Sequence, residues 1–130
     1  MFQIEDYNEL MALHKFLMER HYKIEFHSDE LVGSRFIAEI SNRVVDSLIE
    51  IDEGQERFEK VKSWQNWRLL EPSRPEWDML LFRIKNIGEW WGKHTIEERK
   101  KYILIFLSPY TVNSENMAKL LDFGDRNNGV

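Results

Sequence analysis

Capping residues stand three positions ahead of a glutamate at Asp6-Tyr7-Asn8-Glu9, Ser73-Arg74-Pro75-Glu76 and Thr95-Ile96-Glu97-Glu98, each at a break in the apolar pattern. In that spacing the cap side chain and the acid satisfy each other's unpaired amides, so each occurrence marks a helix start. Between these starts the apolar residues step by three and four, as one buried stripe on a helix of 3.6 residues per turn must. The pattern predicts an all-α fold.

The first helix is expected over about Tyr7 to His21, with a short extended piece near Lys23 to His27 after it. Ser28 with Asp29 and Glu30 then places a cap oxygen and two acids where a second, long helix would begin. Its stripe is Ile37, Ile40, Val44, Leu48 and Ile51, and Glu39, Arg43, Asp46, Glu50 and Glu53 form the opposite, solvated row. Gly54 ends or bends this helix, and a third starts near Gln55 or Glu56. There Phe58, Val61, Trp64, Trp67 and Leu70 recur every three residues, so each falls back about 60° around the helix and they cannot all face one way.

Pro72 and Pro75 break the chain before a fourth helix whose stripe is Trp77, Leu80, Leu81, Ile84, Ile87 and Trp91. Phe82 and Trp90 lie off that stripe. Tyr102 to Leu107 is an unbroken apolar run whose periodicity fits buried helix or buried strand alike; the Thr95 cap and charged first turn favour helix. A last short helix is expected from Ser114 through Leu121, with Gly124 as its stop and 125–130 as a frayed tail. The expectation is one compact bundle of five or six helices spanning residues 1–130, with no linker and no repeat to divide it.

Composition narrows the function classes. The chain has 130 residues and no cysteine, which excludes disulfides and thiolate metal sites. Its amino terminus is acidic where a secretory signal would be basic and then apolar, and its longest apolar run is far short of the roughly 20 residues that span a bilayer. A soluble, cytoplasmic protein is expected. The histidines, His14, His21, His27 and His94, include no i, i+4 pair, and Glu-x-x-His is absent, so no metal site is expected. No serine sits in a glycine-flanked elbow, and the six glycines are too scattered to cradle a phosphate. The one basic cluster, Arg99-Lys100-Lys101, is too small a footprint for nucleic acid.

Two features remain. Residues 1–62 carry 14 acids against 8 bases, whereas 63–130 carry 9 against 10, so the net charge of −5 belongs to the amino-terminal half. All five tryptophans fall between Trp64 and Trp91. Trp77 and Trp91 belong to a regular stripe and are expected in the core, whereas Trp64, Trp67 and Trp90 are open to either core or interface. Trp and Arg are enriched among interface hot spots, and an acidic field speeds capture of a basic protein. The expected partner surface is therefore Asp46, Glu50, Asp52, Glu53, Glu56, Glu59, Trp64, Trp67 and Arg68.

The functional expectation is a non-enzymatic protein-binding module, an acidic inhibitor of the immunity-protein or antitoxin kind that neutralises a basic toxin, using no cofactor. The alternative is a magnesium-dependent, all-α enzyme like the nucleotide pyrophosphohydrolases, with Glu50, Glu53, Glu56 and Glu59 as ligands. Against it, the Glu-x-x-Asp partner spacing occurs nowhere. The surplus of aromatics also leaves room for a homodimer in which Phe82 and Trp90 are covered.

Overall fold

A computed structural model describes residues 2–22 and 34–129. Among these residues the fold is all-helical, with seven helices: α1 (Tyr7–His21), α2 (Arg35–Gly54), α3 (Phe58–Arg68), α4 (Pro75–Lys85), α5 (Glu89–Gly92), α6 (Ile96–Leu107) and α7 (Ser114–Asn127). The extended piece expected at Lys23 to His27 and the cap expected at Ser28 lie outside the described residues. The helices form two compact units, residues 1–68 and 69–130.

In the first unit α1 packs along α2, and α3 packs on α2. Asp6 caps α1 by accepting the Glu9 amide at 3.0 Å, and Ser34 accepts the Ile37 amide at the described start of α2. The core centres on Leu10, Val44 and Leu48, with Tyr7, Leu13, Leu17, Ile51 and Trp64 packed against it. The buried face of α2 differs from the expected stripe. Ala38, Ser41, Val45 and Asp52 are buried alongside Val44 and Leu48, whereas Ile40 is 40% exposed and Ile37 and Ile51 are half-buried. The inward face is thus turned toward the side that α3 covers, and Asp52 is drawn into it by the ion pair described below. The outward row is as expected, with Glu39, Arg43, Asp46, Glu50 and Glu53 all exposed.

Gly54 ends α2 as expected, as its last residue. The reversal into α3 uses Glu56, whose φ of 58° places a non-glycine residue in the left-handed region. The threefold spacing in α3 resolves as the geometry demands. Val61 is buried, Trp64 and Trp67 are half-buried and Phe58 is 64% exposed.

In the second unit α4 packs against α6 and α7, and α5 packs against α7. The Ser73–Glu76 capping box does not form. Pro75 takes the first helical position, so Arg74 becomes the cap residue and Ser73 falls outside. The Thr95–Glu98 box is complete, with the Glu98 amide donating to Thr95 Oγ1 at 3.2 Å and the Thr95 amide to Glu98 Oε1 at 3.0 Å. The run Tyr102 to Leu107 is helical, within α6.

The expected fourth helix is two pieces. It stops at Lys85, Gly88 turns at φ 76°, and α5 restarts at Glu89. That break swings Trp91 onto α7, where its ring lies against Gly124, its Nε1 donates to Asp125 at 2.8 Å and the Arg99 guanidinium sits 5.5 Å above it. Gly124 therefore does not end the last helix, which runs on to Asn127. The expected frayed tail is engaged through Asn128, whose Nδ2 donates to the Ile84 carbonyl at 2.9 Å. Trp77 and Trp91 are core, at 6% and 0% exposure, whereas Trp90 stacks on His94 and Tyr102 half-exposed.

Among the described residues no helix is long and apolar enough to cross a membrane.

Candidate functional site

The charge imbalance follows the division into units. Residues 1–68 hold 14 acids and 9 bases, and residues 69–130 hold nine of each. The acidic field is a property of the first unit, whose outward α2 row carries Glu39, Asp46, Glu50 and Glu53 at positions 3, 4 or 7 apart. Glu56, in the reversal, and Glu59, in the first turn of α3, are also exposed. Five of the six acids placed on the partner surface by their sequence spacing are therefore open to solvent.

The sixth is not. Asp52 is fully buried, and its carboxylate is held from three sides. Arg57 Nε donates to Oδ1 at 2.7 Å, Trp64 Nε1 donates to Oδ2 at 3.1 Å and the Tyr7 hydroxyl donates to Oδ2 at 3.3 Å. A buried carboxylate survives only with such a set of partners, since the attraction to one cation rarely offsets the desolvation of both charges. The Asp52 carbonyl also accepts the Arg57 amide at 2.8 Å, which closes the turn on the side chain that neutralises it. The guanidinium further lies 5.0 Å from the centre of the Tyr7 ring and donates to Gln55 Oε1. Burial first, and then the Asp52 charge, raise the Tyr7 phenol above its usual pKa, so it stays a donor at neutral pH. Asp52 thus joins α1, α2 and α3 from within and leaves the partner surface. Sequence spacing grouped it with its acidic neighbours because Glu50 and Glu53 flank it. The missed signal was that position 52 falls four residues after Leu48 on the buried face.

The aromatic part of the expected surface is divided as well. Trp64 faces the Leu10–Val44–Leu48 core and Asp52, while its ring edge meets His14 at 5.2 Å and Trp67 at 5.5 Å between centroids. Trp67 meets His14 at 5.1 Å, also edge to face. Burial lowers the His14 pKa, with the nearby Lys15 charge adding to the effect, so a neutral imidazole fills this aromatic corner. What remains open beside the two indoles is a shallow notch of about 200 Å3, whose other walls are Lys60 and Ser63.

Arg68 points away from that notch, donating to Asp46 Oδ1 at 2.6 Å and to Asn42 Oδ1 at 3.1 Å on α2. Its side chain is 17% exposed against 63% for Asp46. The structure thus joins Arg68 to Asp46, sets Trp64 and Trp67 on α1, and does not gather the three into one hot spot.

The magnesium alternative gains no geometry. Glu50, Glu53, Glu56 and Glu59 are all exposed, and among the described residues no group of three or more His, Asp or Glu side chains converges as a metal site would require. In the second unit a polar cluster ties α4 to the segment after α6. The Tyr110 hydroxyl donates to Glu76 and accepts from Arg74, and burial followed by the Glu76 charge raises its pKa far above the usual tyrosine value. No protein family, no curated protein and no solved structure matches this chain.

Proposed function

We propose that the chain is a non-enzymatic binding protein whose first unit captures a basic protein partner, in the manner of an acidic inhibitor that neutralises a basic toxin in the cytoplasm. The observation that supports this reading is the exposed acidic row of α2, Glu39, Asp46, Glu50 and Glu53, continued by Glu56 and Glu59, on a unit that holds the whole net charge of the protein. A single-signed face of this kind raises the local concentration of a cationic protein and speeds its docking, and the effect weakens as salt screens it over about 8 Å at physiological ionic strength. Trp64 and Trp67 contribute half-buried rims to the notch on α3 rather than a central anchor.

The test is capture from the source cell at low salt, with the wild-type chain and the Glu50→Lys/Glu53→Lys double variant as paired baits. Both residues are exposed and make no ion pair among the described residues, so the variant keeps the helical circular dichroism of the parent. A basic protein retained by the wild type, released by salt and lost at least tenfold with the variant is the expected result. Retention that is indifferent to both salt and charge reversal rules the reading out.

A further inference from the structure

On the first unit, α3 covers one side of the α1–α2 pair, and among the described residues of that unit no helix lies on the other side. It reaches α2 through Asn42, Asp46 and Asp52. Ile40, Val44 and Ser47 lie about 180° around the same helix, given 100° per residue. Along that flank runs a groove of about 490 Å3, walled by the arm ahead of α1, by α1 and by α2. Its floor is apolar, made by Leu10, Leu13 and Val44. Its rims are apolar and exposed, with Phe2 at 87% and Ile40 at 40%. Two charges line it, Glu5 on the arm and Arg43 on α2.

We propose that this groove receives an amphipathic, basic helix from the protein partner, completing a helical layer on the side opposite α3. The inference rests on the reading that the partner is a basic protein and adds the element by which it docks. The chemistry on the page selects that occupant. An antiparallel helix pair presents a lengthwise furrow, and a third helix fills it by laying a ridge of residues at i, i+3, i+4 and i+7 on the floor. Glu5 at one wall, and Glu39 and Glu50 on the α2 row that borders the groove, set the sign of the flanks that such a helix needs. A second copy of this chain would bring its own excess of five acids against the same field. Arg43 makes no ion pair among the described residues and offers one place for an acid within an otherwise basic helix.

The probe is a synthetic 15-residue peptide of leucine and lysine with leucines at helical spacing, compared with a peptide of the same composition in scrambled order. Titration of the isotope-labelled full chain, followed by amide NMR, is expected to shift Leu10, Leu13, Ile40 and Val44 with the periodic peptide. The scrambled peptide should bind at least tenfold more weakly, and Ile40→Asp, a change at an exposed position, should weaken the periodic peptide at least tenfold. Equal binding of the two peptides, shifts confined to Asp46 through Glu59, or an Ile40→Asp variant that binds like the parent overturns the groove proposal. Those results leave the acidic-face reading to its own capture test. Sedimentation showing a dimer that Ile40→Asp dissociates would assign the groove to a second copy and overturn the proposal too.

Discussion

Replacing Asp52 with alanine removes an acceptor shared by α1, α2 and α3, and its cost follows from what is left behind. Breaking a buried ion pair by deleting one partner costs about 3–5 kcal/mol, most of it the stranded charge. Here the stranded cation is Arg57, whose side chain is 34% exposed and can be rehydrated. That places the loss at the lower end, about 3 kcal/mol, with the unmade bonds of the Tyr7 hydroxyl and the Trp64 indole included. Asp52→Asn keeps the shape and one acceptor oxygen but loses the charge, for about 1–2 kcal/mol. By contrast, Asp46→Ala breaks a pair whose carboxylate is 63% exposed and should cost under about 1 kcal/mol. Urea unfolding followed by circular dichroism separates these cases. At a slope of about 1–3 kcal/mol per molar urea, Asp52→Ala shifts the midpoint down by about 1–3 M, while Asp46→Ala shifts it by less than about a third of that. An Asp52→Ala midpoint within error of Asp46→Ala would refute the argument and return Asp52 to the partner surface.

Three further outcomes are expected. Gly124→Ala places a methyl against Cζ2, Cη2 and Cε2 of the fully buried Trp91 ring. Overpacking of about 3 kcal/mol, less about 1 kcal/mol of improved helix propensity, leaves a net loss near 2 kcal/mol in a urea titration; a neutral variant would mean that the ring can step aside. His14 has a folded pKa below its unfolded value of about 6.5, so the stability of its neutral form is fully present above that pH. It is lost as pH falls below 6.5 toward the folded pKa. The difference in urea midpoint between wild type and His14→Phe should therefore be flat above pH 7 and change below it, and a pH-independent difference would contradict the burial of His14. Glu56→Gly relieves the left-handed backbone between α2 and α3, for a gain of about 0.5–1 kcal/mol in thermal or urea unfolding; destabilisation would place a role on the Glu56 side chain that its exposure does not suggest.

The caps and the apolar spacing determined the helical class, the bounds of α1 and α6 and the core position of Trp77. These are local properties, since a cap oxygen and an amide three residues on meet whatever the rest of the chain does. The outward acids of α2 were legible for the same reason, because charged residues at helical spacing gain nothing from burial. Periodicity could not fix rotation by one residue, so the inward face of α2 was misplaced. It could not show that Asp52 is the acid turned inward either, because that depends on Arg57, Trp64 and Tyr7 arriving together from three other segments. Tertiary packing also placed Gly124 inside α7, where its missing side chain admits the Trp91 ring, although glycine's local preference marks a helix end. It likewise divided the aromatic cluster, setting Trp64 and Trp67 against His14 while Arg68 turned to Asp46. Sequence spacing specifies which side chains share a face. Which face is then covered, and which acid is left in water, is decided by contacts between segments distant in the chain.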